Sequence, residues 1–257
     1  MLELITSYTF SHVPYIEYSA LDEYATDVIR DYKRTLLLKP EALDIEDFLE
    51  FYLGLQIEYK RLSYDQKVLG LTAFNPGYVQ IIDEQTGHTE PLSVETGTVI
   101  VENSLTTKRN LPRFRFTLGH EGSHWLLHRK VFSAENQFFS NEKYENQYLA
   151  AKEGRIDYSR KQNDRTDSDR IERQADFLSS ALLMPKDTLR MTFKEFFKYY
   201  DDKPRRIIRG KSPLDDRYAS LLPKYVSKVF QVSERAALIR LEKLTGIVDY
   251  KTWGNRA

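Results

Sequence analysis

The segment His120-Glu121-Gly122-Ser123-His124 constrains this chain more than any other. Residues four apart share one face of a helix, so two imidazoles at this spacing can bind one metal ion. Apolar neighbours at helical spacing and Pro112, which suits a first helical turn, predict a helix from about residue 111 to 128. Gly122 lowers the helix propensity, and we expect it to provide a small surface beside a metal cleft.

Metal chemistry explains the glutamate inside the motif. A zinc ion lowers the pKa of a bound water toward about 7 and polarises a peptide carbonyl. Glu121 lies next to the first histidine, so it can take the proton from that water and return it to the leaving amine. The pattern therefore predicts a hydrolase with Glu121 as its general base.

A catalytic zinc ion needs a third protein ligand, and a chain without cysteine must supply a carboxylate or another histidine. Glu172 and Asp176 are four residues apart on a helix predicted from about residue 169 to 183. Alone, such a pair is more often a solvated helix face. Downstream of the first motif, we expect Glu172 to bind the metal and Asp176 to accept the other ring N–H of His120. His128 should be an outer contact, because a fourth protein ligand would close the site.

The rest of the chain predicts an α+β fold. Short β-branched segments with Pro-Gly and Gly turns indicate one small sheet, and periodic apolar residues indicate helices before and after it. We expect a metallopeptidase domain over residues 1–200, with a variable polar insert at 129–169, and a helical subdomain over 201–257. The predicted helices are 19–38, 44–53, 111–128, 169–183, 186–199, 218–230 and 233–244, and the predicted strands are 56–62, 68–74, 78–83 and 97–101.

Composition and charge favour a soluble cytoplasmic protein. The start of the chain lacks the pattern of a signal peptide, no apolar run is long enough to span a bilayer, and there is no cysteine. Acidic and basic residues number 38 each, so the overall basic field typical of nucleic-acid binding is missing.

The C-terminal helices have a helix-turn-helix outline after the basic run KPRRIIRGK at 203–211. DNA binding is therefore conceivable, but Ala236, Ala237, Leu238, Leu241 and Leu244 favour a helical cap docked on the core. We interpret the basic run as a solvated linker.

Two segments, RFTLGHEGSHWLLH and ERQADFLSSALLMP, resemble the paired signature of the ImmA/IrrE metallopeptidases, and FQVSERAALIRLEKLTG resembles the family's tail. The resemblance implies a zincin-like core, one zinc ion per chain, His120, His124 and Glu172 as its ligands, and Glu121 as the catalytic residue. It also implies a protein substrate, namely a transcriptional repressor or antitoxin-like regulator, often encoded nearby on mobile elements. Gly122-Ser123 departs from the family, which more often has a larger apolar residue and then glycine.

Two other functions stay open on the sequence. The same site could hold a peptide or small ligand in a sensor without hydrolysis, or the C-terminal helices could act as a DNA-binding regulator. The intact Glu121 favours the enzyme. Manganese or iron could also occupy a site of two histidines and one carboxylate.

Overall fold

A computed structural model describes residues 13–132, 148–152, 166–200, 207–244 and 247–249 of the chain. The described part combines helices with small sheets, so the predicted α+β class is confirmed. Its α-helices are α1 (Tyr18–Lys33), α2 (Ile45–Asp47), α3 (Leu111–His128), α4 (Asp167–Leu183), α5 (Lys186–Tyr199), α6 (Pro213–Phe230) and α7 (Glu234–Lys243). Its strands are β1 (Gln56–Lys60), β2 (Val68–Ala73), β3 (Gly77–Ile82), β4 (Thr89–Val94), β5 (Thr98–Glu102), β6 (Tyr148–Lys152), β7 (Ile207–Arg209) and β8 (Ile247–Asp249).

Local sequence signals account for the helix ends. Helix α4 begins after Thr166, whose hydroxyl accepts a hydrogen bond from the backbone N–H of Asp169. Ser212 and Ser233 cap α6 and α7 in the same way. Helix α6 ends at Phe230, and the next residue, Gln231, adopts a left-handed conformation with φ of 52°. These cap residues flank the helices and satisfy backbone groups at the helix ends, so they fix where each helix starts or stops.

The main sheet has the strand order β1-β5-β2-β6. Strands β1 and β5 are parallel, whereas β2 runs antiparallel to both β5 and β6. Of the predicted insert 129–169, the structure describes residues 129–132, strand β6 and residues 166–169. Strand β6 lies beside β2 at one edge of the sheet, so part of the insert is built into the domain.

The prediction of a single sheet was wrong. Strands β3 and β4 form a separate antiparallel hairpin. An isolated bridge joins Ile82 of the hairpin to Arg61, the residue that follows β1. Strand β4 was not predicted because most of its residues are exposed and it contains Pro91, so it lacks the apolar alternation of a strand with one buried face. The hairpin buries Val79, Ile81 and Val94 against Leu71 and Ile100 of the main sheet.

Helix α3 occupies the middle of the molecule, between the main sheet and helix α4. One apolar core joins α1, α3 and α4 to the C-terminal helices α6 and α7. A buried ion pair between Arg240 of α7 and Asp22 of α1 ties the two ends of the described chain together. The domain boundary near residue 200 stays a prediction.

Helix α7 is docked on the core, as the sequence predicted. Ala236, Ala237 and Leu241 are buried, and Leu238 and Leu244 pack against them at the edge. None of the helices in the described ranges is long and apolar enough to cross a membrane.

The interpretation of the basic run as a solvated linker was wrong for Ile207–Arg209, whereas Gly210 and Lys211 are exposed. Ile207–Arg209 forms β7, which pairs in parallel with β8, and the side chains of Ile207 and Ile208 are buried. Two consecutive isoleucines drive this burial despite the charged neighbours. Residues 203–206 lie outside the described part of the chain.

Candidate metal centre

The site is built between helices α3 and α4, which approach closely at Gly119. A Cβ atom at Gly119 would lie 2.6 Å from Oγ of Ser179 on α4, so any larger residue here would force the helices or Ser179 to shift. The Ser179 hydroxyl donates a hydrogen bond of 3.2 Å to the carbonyl of Phe116 on α3. The close approach brings His120, which follows Gly119 on α3, within reach of Glu172 and Asp176, which precede Ser179 on α4.

His120, His124 and Glu172 form a buried cluster of potential metal donors. The two Nε2 atoms lie 2.8 Å apart. Glu172 places one carboxylate oxygen 3.5 Å from His120 Nε2 and the other 3.8 Å from His124 Nε2. Donors around a tetrahedral zinc ion are separated by about 3.3 Å, given bonds of about 2.0–2.1 Å. The measured separations bracket that value, so these residues fit a metal ion.

Asp176 lies behind the first histidine. Its Oδ1 is 2.9 Å from Nδ1 of His120, which is the pairing that we expected. Burial by itself would lower the pKa of His120, but hydrogen bonds with Asp176 and Glu172 outweigh burial and raise the pKa well above its usual value. With its Nδ1–H directed to Asp176, His120 presents Nε2 to the donor cluster.

His128 is fully buried and touches the second histidine rather than the donor cluster. Its Nδ1 lies 3.1 Å from Nδ1 of His124, and its Nε2 lies 3.0 Å from Oε1 of Gln174 on α4. Burial, reinforced by the neighbouring imidazoles, lowers the pKa of His124 well below its usual value. Burial also lowers the pKa of His128 to about 4. Both rings are therefore neutral near pH 7.

The carboxylate of Glu121 contacts strand β2 of the main sheet. Its carboxylate accepts a hydrogen bond of 2.6 Å from the hydroxyl of Thr72 on β2, and both residues are fully buried. A Cβ atom at Gly70, two residues earlier on the same face of β2, would lie 2.7 Å from Oε1 of Glu121. Strand β2 thus provides both the space and a hydrogen-bond donor for this carboxylate.

Sequence reasoning missed Thr72, Gly70 and Gln174. The first two interrupt the apolar strand VLGLTA on one face, which is a signal that this face meets something polar. Gln174 is a buried polar residue between Glu172 and Asp176, but no spacing rule connects a glutamine to the metal motif.

The prediction that Gly122 provides a small surface beside the metal cleft was wrong. A Cβ atom at Gly122 would lie 3.1 Å from Leu49 and 3.5 Å from Leu53, in the apolar core. The π-helical turn Phe48–Tyr52, which contains Leu49, packs closely against α3 at Gly122, so a small residue is needed there. Gly122 does not border the metal cluster.

Comparison with known proteins gives one result that bears on function. Residues 79–242 match the family model of the IrrE N-terminal-like domain, peptidase family M78. No curated protein matches the chain. The match covers more than half of the sequence and includes both α3 and α4, so the resemblance noted in the sequence is confirmed. The chain therefore belongs to the IrrE N-terminal-like family of metallopeptidases.

Proposed function

We propose that this chain is a zinc-dependent endopeptidase in which His120, His124 and Glu172 hold one zinc ion and Glu121 is the general base. The observation that carries the proposal is the convergence of two Nε2 atoms and a carboxylate within 4.8 Å of one another, on two helices of a metallopeptidase family domain. Three protein donors leave a fourth position for water, as in catalytic zinc sites.

Bound zinc would supply an activated water and polarise the peptide carbonyl. Glu121 accepts the proton of the attacking water and passes it to the amine of the departing peptide. Thr72 holds one end of the Glu121 carboxylate, so the side chain keeps one orientation through both transfers. Asp176 holds the His120 ring by its Nδ1–H and keeps Nε2 directed at the metal.

The metal is tested by elemental mass spectrometry of protein purified without added metal. We expect about one zinc ion per chain in the wild type, by the usual stoichiometry of such sites, and its loss in Glu172→Ala. Manganese or iron in place of zinc would keep the site and overturn the metal assignment.

We further propose that the substrate is one regulatory protein, a transcriptional repressor or an antitoxin-like regulator. Two things support a narrow substrate. One is the resemblance to the ImmA/IrrE enzymes. The other is the burial of the reacting groups, since Glu121 is 0% and His120 5% exposed. A site this enclosed selects for a partner that presents one segment to it.

The hydrolysis is tested by labelling new N-termini in a lysate of the source cells. Zinc-loaded wild type is compared with Glu121→Gln, which keeps the shape of the side chain and removes the base. New N-termini that appear with the wild type and not with the variant support the peptidase. Identical sets of N-termini in the two samples would contradict it.

The burial of the site also favours a second candidate, a sensor that binds a metal or peptide without turnover. A peptide that binds equally to wild type and Glu121→Gln, and that the wild type leaves intact, would support the sensor.

A further inference from the structure

Gln174 connects the metal cluster to the backbone just before helix α1. Its Nε2 lies 2.7 Å from the carbonyl oxygen of Pro14. A carbonyl oxygen can only accept a hydrogen bond, so the amide NH2 must face Pro14 and the amide oxygen must face the opposite way. The contact with Pro14 therefore fixes the orientation of the Gln174 side chain.

That orientation determines which ring nitrogen carries the hydrogen atom in His128 and in His124. Gln174 Oε1 is an acceptor, so His128 must donate from Nε2 across the 3.0 Å contact. A neutral imidazole carries one N–H, which leaves His128 Nδ1 as an acceptor. His124 must then donate from its own Nδ1 across 3.1 Å, and its Nε2 keeps a lone pair.

We propose that Gln174 is a positioning residue for the metal: anchored on the Pro14 carbonyl, it acts through His128 to fix the tautomer in which His124 presents Nε2. The proposal rests on the function assigned above to His120, His124 and Glu172. It adds that the second histidine is oriented by a chain of three groups, His128, Gln174 and the Pro14 carbonyl.

The two histidines are therefore held differently. His120 donates its Nδ1–H to a carboxylate, Asp176, whereas His124 donates to a neutral imidazole. His124, His128 and Gln174 are at most 4% exposed and Pro14 is buried as well, so water does not readily replace a lost partner. Outer partners of metal-bound histidines typically contribute about 10–100-fold to metal affinity.

The test is the zinc dissociation constant, measured by competition with a chromogenic chelator, in two matched pairs of variants. His128→Asn keeps an acceptor at the position of Nδ1. His128→Leu has nearly the same shape as the asparagine variant but lacks the acceptor. Gln174→Glu, which burial keeps protonated, can still donate to the Pro14 carbonyl and accept from His128, whereas Gln174→Met can do neither. We expect the leucine and methionine variants to bind zinc about 10-fold more weakly, and the asparagine and glutamate variants to stay within about threefold of wild type.

A second readout does not depend on any variant folding. The chain has five histidines, so long-range proton–nitrogen NMR spectra of the wild type can be assigned ring by ring. We expect the hydrogen on Nε2 of His128 and on Nδ1 of His124. A hydrogen on Nδ1 of His128, or zinc affinity equal within each matched pair, would overturn the proposal. Wild type that binds no zinc at all would instead contradict the proposed function.

Discussion

The hydroxyl of Thr72 donates a hydrogen bond of 2.6 Å to the carboxylate of Glu121, across the interface between strand β2 and helix α3. The two residues are 49 positions apart in the sequence, and neither is exposed to solvent. Helix α3 fixes the position of the Glu121 backbone, and strand β2 fixes the orientation of the carboxylate. The orientation of the proposed base therefore depends on the packing of the sheet against the helix.

Replacing Thr72 separates this effect from metal binding. Thr72→Val keeps the shape of the side chain and removes the donor, whereas Thr72→Ser keeps the hydroxyl. A hydrogen bond to a charged group contributes about 1.5–3 kcal/mol, so we expect the valine variant to cleave about 10- to 100-fold more slowly with unchanged zinc content. The rate is read from the appearance of the new N-terminus in the cleaved substrate. Serine and valine variants of equal rate would remove Thr72 from the mechanism.

Asp176 should control zinc affinity through His120. Asp176→Asn keeps an oxygen acceptor without the charge, and Asp176→Leu removes the acceptor. We expect zinc to bind about 10-fold more weakly in the first and up to about 100-fold more weakly in the second, because His120 loses the partner that fixes its ring. Chelator competition measures both.

Asp169→Asn is the matched control for Asp176, since Asp169 is an exposed carboxylate in the first turn of the same helix. Its zinc affinity should equal that of the wild type. A loss in the control as large as that in Asp176→Asn would indicate a general effect of charge on the helix.

The close approach of α3 and α4 at Gly119 should be visible in stability. Gly119→Ala places a Cβ atom 2.6 Å from Ser179 Oγ, so we expect a loss of about 1–3 kcal/mol in the free energy of unfolding. Ser179→Ala removes the opposing oxygen and one hydrogen bond, a loss of about 0.5–1.5 kcal/mol.

The double variant Gly119→Ala/Ser179→Ala should lose less stability than the two single variants added together, because the second change relieves the clash made by the first. Urea unfolding of all four proteins gives the coupling. Strict additivity would mean that the helices simply move apart at this point.

The sequence predicts the two metal-bearing helices well, for a physical reason. The bounds of α3 were predicted to the residue, and those of α4 to within two, because apolar periodicity and end signals are local. The spacing also places His120 and His124, and Glu172 and Asp176, on one face of their helices, and the structure brings these four side chains together, while their roles stay predictions. What the sequence could not supply is which residues of other elements meet these pairs.

Thr72, Gln174 and Pro14 illustrate that limit. Thr72 reaches Glu121 only because β2 lies next to α3, and Gln174 reaches Pro14 across 160 residues of sequence. Strand β4 was missed for a different reason, since an exposed strand has little apolar pattern to detect. Contacts set by tertiary packing have no fixed spacing along the chain, so local rules do not find them.

The ion pair between Arg240 and Asp22 provides a test of how firmly the C-terminal helices belong to the core. Arg240 is 1% exposed and also donates a hydrogen bond of 3.2 Å to the carbonyl of Met184 at the end of α4. Removing one partner of a buried pair leaves the other charge without compensation. We therefore expect Arg240→Met to lower the free energy of unfolding by about 3–5 kcal/mol.

Two further variants make that result specific to the pair. Arg235→Met, at an exposed position of the same helix, should change stability by no more than about 0.5 kcal/mol. Arg240→Met combined with Asp22→Leu should recover part of the loss, because no charge is then left buried alone. Urea unfolding followed by circular dichroism measures each protein. If Arg240→Met lowered the free energy of unfolding no more than the exposed control does, α7 would contribute little to the core. That result would favour the DNA-binding alternative for the C-terminal helices.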